Sequence, residues 1–131
     1  MDEPELEKPE IWFDLADGKL AAARDMQRLG HYRETTSAAY FAIFYAVKAL
    51  LTTVGVEIHK HSGVGPKFSE YFVKTGKLEQ RYARLIGEAL RAREESDYQP
   101  RAVITQDRAA QLLAEAEEFV SRTKQLVKES Q

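Results

Sequence analysis

From Tyr32 to Val54 the chain runs without a glycine or a proline, and this is its most apolar stretch. Ala, Leu, Phe and Tyr in an unbroken run of that length read as a helix. Lys48 and several tyrosines interrupt the apolar run from Ala38 to Val56, which therefore falls short of a membrane span. A helix so apolar must be covered by other segments, so it is expected at the centre of a bundle. The remaining punctuation agrees. Glycines and prolines sit between apolar-periodic segments, few stretches alternate apolar with polar residues, and Val and Ile are sparse beside Ala, Leu, Glu and Arg. The reading is an all-α bundle of about five helices.

The first helix is expected from Pro9 to Leu29, with Leu15, Ala22, Met26 and Leu29 as its inner stripe, Gly18 weakening its middle and Gly30 ending it. The second covers Tyr32 to Val54 and stops at Gly55. A polar connection, Val56 to Gly65, leads to a short helix from Pro66 to Thr75, and a fourth spans Leu78 to Ser96. After a break at Pro100, Thr105 is placed to cap a fifth helix that ends near Lys128, with Ala109, Leu112, Ala116, Phe119, Val120 and Val127 inward. The 131 residues suit one domain over 1–131, with residues 1–8 as an acidic, proline-containing tail. The formal charge of −2 argues against coating nucleic acid by bulk charge and leaves room for a local basic site. Without cysteine, disulfides, thiolate nucleophiles and zinc ribbons are excluded. No basic-then-apolar leader opens the sequence, so a cytoplasmic protein is expected.

Functional information is sought where a helix breaks its own pattern. At 100° per residue, Ser37, Phe41, Phe44, Lys48 and Leu51 share one face, which places an ammonium in an apolar stripe. In the fourth helix Leu78, Tyr82, Leu85, Ile86, Ala89 and Leu90 point inward, and Arg93 and Asp97 continue that arc. Arg81, Arg84, Glu88, Arg91 and Glu95 take the opposite face as solvated surface. An internal network is expected to satisfy these charges: Arg93 or Lys48 with Asp97, plus a hydroxyl from Tyr40, Tyr45 or Tyr98. Two purposes stay open. The network fixes helix register, or it forms a pocket in which Arg93 offers a planar fork and Lys48 a point charge to a phosphate-bearing ligand.

His59 and His61 lack a third ligand at zinc-like spacing, so no metal or cofactor is expected, and they read as an exposed loop. Either could serve as a general base. Ser62 to Gly65 reads as a turn, and no phosphate-cradling or nucleophile-elbow glycine motif occurs. The breadth of the apolar face carrying Tyr40, Phe41, Phe44, Tyr45, Val47, Leu50 and Leu51 suggests self-association, because one short chain is hard pressed to cover it.

The stretch Ser37-Ala-Ala-Tyr40-Phe-Ala-Ile-Phe44-Tyr45-Ala-Val-Lys48-Ala-Leu-Leu51 resembles the "S-x-x-Y-Y-A-x-F-H-A-x-K-A-L-L" helix of HEPN domains. His61-Ser-Gly-Val64, Phe68 and Phe72-Val-Lys-Thr-Gly76 continue the likeness, and Arg93-Glu-Glu-Ser-Asp97-Tyr98 resembles the "R-x-x-A-D-Y" signature of one subgroup. The matches run in order from about Leu20 to Tyr98. The resemblance implies an up-and-down bundle, a homodimer with a cleft between protomers, and pairing with a small nucleotidyltransferase in toxin–antitoxin systems. It also implies, in active members, metal-independent RNA cleavage by R-x(4–6)-H, the arginine steadying phosphate and the histidine moving a proton. Here Asp97 and Tyr98 stand where that histidine would fall, and Tyr45 replaces one often found in the second helix. The expectation is a dimeric module binding nucleotide or RNA phosphate, or a nucleotidyltransferase partner, through Lys48, Arg93, Tyr40, Tyr45 and Tyr98. The alternatives are a metal-independent endoribonuclease using Arg93 with Asp97 or His61, and a purely structural protein without ligand.

Overall fold

The structure, a computed structural model, describes residues 8–130. Apart from Lys8, the expected N-terminal tail lies outside the described residues. Four long helices, α1 (Pro9–Arg28), α2 (Tyr32–Thr53), α4 (Gln80–Tyr98) and α5 (Gln106–Glu129), are joined by a short α3 (Val64–Phe68) that continues as one π turn, Ser69–Val73. A 3-10 turn, His61–Gly63, precedes α3. No strand occurs among the described residues.

Local chemistry sets the helix ends. Gly30 and Gly55 adopt φ of +82° and +71°. Each closes a Schellman motif: Gly30 N–H donates to the Gln27 carbonyl and His31 N–H to that of Met26, and Gly55 and Val56 repeat the pattern on Thr52 and Leu51. At the head of α5 the Thr105 hydroxyl accepts from Arg108 N–H at 3.1 Å, as expected of an N-cap.

Cross-helix pairs give the topology. Asp17 meets Lys124 and Arg24 meets Glu117, so α1 and α5 are antiparallel. Trp12 stacks on Tyr45 while the Lys19 ammonium lies over Phe41, which makes α1 and α2 antiparallel. Ser37 reaches Asp97, and Arg93 lies over Tyr40 and Phe41, so α2 and α4 are antiparallel too. Arg81–Glu118 and Arg108–Glu95 fix α4 against α5 in the same sense. The result is an up-and-down bundle with α2 packed against all three other long helices. No described helix is long and apolar enough to cross a membrane.

Four expectations need correction. The inner stripe of α1 is Phe13, Ala16, Leu20 and Ala23, whereas Leu15 is 41% and Leu29 62% exposed, and Ala22 and Met26 are half-buried. The buried face, which alternates large Phe13 and Leu20 with small Ala16 and Ala23, lies about a third of a turn around the helix from the expected one. The broad face of α2 is covered within one chain: Tyr40, Val47, Leu50 and Leu51 are fully buried, and only Phe41 and Tyr45 stay half-exposed. The short helix begins at Val64 and ends its π turn at Val73, and the connection before it buries Ile58. Finally, Arg81 and Glu95 are more than solvated surface, since they bond across to α5.

An unforeseen contact anchors the end of α4. The Arg33 guanidinium, in the first turn of α2, donates to the carbonyl of Ser96 at 2.7 Å, to those of Gln99 and Pro100 at 3.1 Å, and to that of Ala102. Carbonyls at a helix C-terminus have no intrahelical donors, and a cation there also complements the dipole. Replacing Arg33 with Ala should cost about 1.5–3 kcal/mol in denaturant unfolding, the scale of charged hydrogen bonds. By contrast, a Cβ at Gly18, mid-α1, meets nothing within 4 Å. Gly18→Ala should therefore stabilise by about 0.5–1 kcal/mol, while Gly55→Ala, forced into positive φ, should lower the melting temperature.

Candidate functional site

The inward stripe of α2 forms the floor of the site. Ser37, Phe41, Phe44 and Lys48 follow one another along it, and a partner from another element meets each of them. Ser37 Oγ donates to Asp97 Oδ2 at 3.4 Å. Phe41 lies under Arg93, its centroid 5.1 Å from the guanidinium carbon. Phe44 stacks on the imidazole of His61 at 4.5 Å. Lys48 Nζ sits 4.5 Å from the ring centre of Trp12 and 5.4 Å from that of Phe44.

His61 is the residue whose placement differs most from expectation. Read as an exposed loop, it is half-buried, and its Nδ1 is 2.6 Å from the hydroxyl of Tyr40. His59 does stay in solvent. The Tyr40 bond draws the turn at His61 onto α2, and Phe41 adds an edge contact to the ring. Nδ1 is thereby engaged and Nε2 is the edge left for a ligand. With Tyr40 donating, Nε2 carries a proton to offer; with Nδ1 donating, Nε2 carries a lone pair that can take one.

Arg93 has its side chain 17% exposed, and its Nε donates to Asp97 Oδ2 at 3.1 Å. This i,i+4 pair lies within α4 and orients the guanidinium. The two terminal nitrogens have no hydrogen-bond partner among the described residues, and neither does Lys48 Nζ. Arg93 lies over Phe41 and Lys48 over Phe44, the two rings that touch His61, and both cations keep unspent donors; with Asp97 counted the set carries +1 while His61 is neutral.

Of the two partners left open for Asp97, Arg93 takes it and Lys48 does not. Asp97 bonds Ser37, eleven residues from Lys48 along α2, a separation of about 16 Å at helical rise. The Lys48 ammonium rests on aromatic faces instead, a contact favourable by about 0.5–2 kcal/mol. Tyr40 gives its hydroxyl to His61, Tyr45 turns its ring to Trp12, and Tyr98 stands at the rim with its ring 5.7 Å from the Arg93 guanidinium. Trp12, which carries Lys48, escaped sequence reasoning altogether. Among the described residues no three His, Asp or Glu side chains group closely enough to hold a metal ion.

Titration follows from this arrangement. Burial, then the charge of Arg93, then that of Lys48 hold the His61 imidazole below its ordinary value of 6.5. Burial pushes the Tyr40 phenol up to about 12, so it keeps its proton.

The sequence matches the HEPN domain model over residues 9–126. Two proteins of Methanocaldococcus jannaschii bearing the name "Putative toxin" are similar to it. One is 36% identical over 123 residues, covering 94% of this chain and 91% of the relative. The other is 34% identical over 120 residues, covering 92% and 80%. A "UPF0332 protein" of Thermotoga maritima is 28% identical over 120 residues, covering 92% of this chain and 91% of its own length.

The site predicts its own pH dependence. In an NMR titration His61 should reach its midpoint below 6.5, and Arg93→Gln or Lys48→Gln should each move that midpoint upward. Because the fold favours neutral imidazole, the unfolded chain binds more protons as the solution is acidified. The stabilising contribution of His61 is then complete above pH 6.5 and lost as pH falls through the folded midpoint.

Proposed function

This chain belongs to the HEPN domain family, and we propose that it is a toxin-type member that binds RNA or nucleotide phosphate between Arg93, His61 and Lys48. The observation that carries this reading is the pair of cations with unspent donors flanking one imidazole. Asp97 takes only Nε of Arg93, so the terminal N–H groups remain as a fork for two phosphate oxygens. Lys48, lying over Trp12 and Phe44, adds a point charge without a fixed direction. The aromatic rings around His61 limit water on that side and strengthen both attractions.

A second reading, endoribonuclease chemistry, draws on the place of His61 in the same site. Neutral Nε2 would take the proton of a ribose 2′-hydroxyl, the freed oxygen would bond to the adjacent phosphorus, and the bond to the 5′ oxygen would break. A 2′,3′-cyclic phosphate forms, and the leaving oxygen takes a proton back from the imidazolium. Arg93 and Lys48 would hold the charge that builds on the non-bridging oxygens. His61 suits the proton transfer better than Asp97, whose carboxylate already accepts from Arg93 and Ser37. In either reading the protein acts in the cytoplasm as a homodimer beside a small nucleotidyltransferase, as the family likeness implies.

Incubating purified protein with RNA in EDTA separates the readings. Cleavage that falls at least about 100-fold in both Arg93→Ala and His61→Ala supports the ribonuclease. RNA that stays intact yet is bound, with binding lost in Arg93→Ala, supports the phosphate-binding module. Intact and unbound RNA would contradict both.

A further inference from the structure

Which end of the Tyr40–His61 bond donates is decided by the surroundings of Tyr40. The residue is fully buried, so bulk water does not reach its hydroxyl. Among the described residues that hydroxyl has one hydrogen-bond partner, His61 Nδ1 at 2.6 Å. Burial opposes ionisation of the phenol, which therefore keeps its proton. The O–H thus has a single acceptor to use. If Nδ1 carried a hydrogen, the imidazole would donate to the phenol oxygen, and the phenol hydrogen would be left buried without an acceptor. Folded proteins avoid such orphaned donors because each costs its full desolvation. A bare Nδ1 that accepts from Tyr40 satisfies both groups, and in a neutral imidazole the one hydrogen then sits on Nε2. The ring is held in this pose from other sides too. Phe44 stacks on it with 4.5 Å between centroids, Phe41 meets it edge-on, and Val64 N–H donates to the His61 carbonyl at the head of α3. Nε2 has no hydrogen-bond partner among the described residues, so its N–H is unspent.

We propose that Tyr40 is a positioning residue that fixes His61 as the Nε2–H tautomer, so that His61 joins Arg93 and Lys48 as a third hydrogen-bond donor to the bound phosphate. The tautomer stands on the contacts of Tyr40 alone, while the ligand rests on the phosphate reading above. A neutral donor suits this place. It adds no further positive charge to a ring whose protonation Arg93 and Lys48 both oppose, yet it still offers an N–H to an anionic oxygen. Taking a proton from a ribose hydroxyl needs a bare Nε2. That moves the ring hydrogen to Nδ1 and strands the hydrogen of Tyr40, the arrangement that burial penalises. The resting site is therefore built to hold a phosphate rather than to cleave beside it.

The test is NMR of the imidazole nitrogens in the isotope-labelled full chain, without ligand and at a pH above the His61 midpoint. Nδ1 should resonate as a bare ring nitrogen and Nε2 as an N–H nitrogen, and the Tyr40 hydroxyl proton should exchange slowly and correlate with Nδ1. In Tyr40→Phe the two nitrogen shifts should move towards each other as the tautomers mix, in a chain that still melts cooperatively; if that variant does not fold, the wild-type spectrum decides. A bare Nε2 in the wild type, or shifts that a folded Tyr40→Phe leaves in place, would overturn the proposal. The donor role is read from affinity for a short single-stranded RNA. His61→Ala should weaken binding about tenfold, and His61→Gln, whose amide restores a donor, should recover most of that loss. Equal losses in the two variants would overturn the donor role. RNA that the wild type does not bind would defeat the phosphate reading, while the nitrogen spectrum still decides the tautomer.

Discussion

The requirement that α2 be covered from every side governs the rest of the fold. Twelve residues of this helix are buried, including Tyr40, Ile43, Phe44, Val47, Leu50 and Leu51. No single neighbour can shelter so wide an apolar surface, so α1, α4 and α5 must all lie against it, each running as its connection allows. Short, glycine-terminated links bring α1 back along α2, and the longer α3 segment lets α4 return on another side. The charged pairs between α1 and α5 and between α4 and α5 are largely exposed, and solvent screening leaves each contributing little. They select register. Apolar burial around α2 supplies the driving force.

Covering α2 leaves one strip incompletely sealed, and the chemistry gathers there. Along Ser37, Phe41, Phe44 and Lys48 the helix meets α4, the turn at His61 and the start of α1, where three segments approach without closing over it. The bond between Tyr40 and His61 ties a loop residue to α2, the helix with the most buried residues. Arg93 is steadied from within its own helix by Asp97, and the end of α4 is held by Arg33. The positions of the cations therefore depend on helix packing rather than on loop conformation, which suits a site that must present its donors before a ligand arrives.

Much of this was legible in the chain, and the gaps have physical causes. Helix ends at Gly30 and Gly55 and the cap at Thr105 follow from local backbone chemistry. The inward direction of Lys48 and Arg93 follows from helical period. His61 was named as a candidate base, but its burial and its bond to Tyr40 were not legible, because a loop has no period and the partner hydroxyl is 21 residues away. Which of Arg93 and Lys48 would take Asp97 stayed open, because period gives direction around a helix and not height along it. In α1 two apolar stripes share the helical period, and only the packing of its neighbours shows that Phe13, Ala16, Leu20 and Ala23 form the buried one. Arg33 reads as a surface arginine until the end of α4 is known to lie beside it.

In the proposed reading Arg93 and Lys48 hold one shared anion beside His61. A double-mutant cycle decides this: the affinity of the protein for a short RNA is measured for wild type, Arg93→Gln, Lys48→Gln and the double variant at one salt concentration. Two side chains bound to the same phosphate should show losses that do not add, with a coupling of at least about 0.5 kcal/mol. Strictly additive losses, or full affinity in Lys48→Gln, would mean that the two cations serve separate ends and would contradict the account.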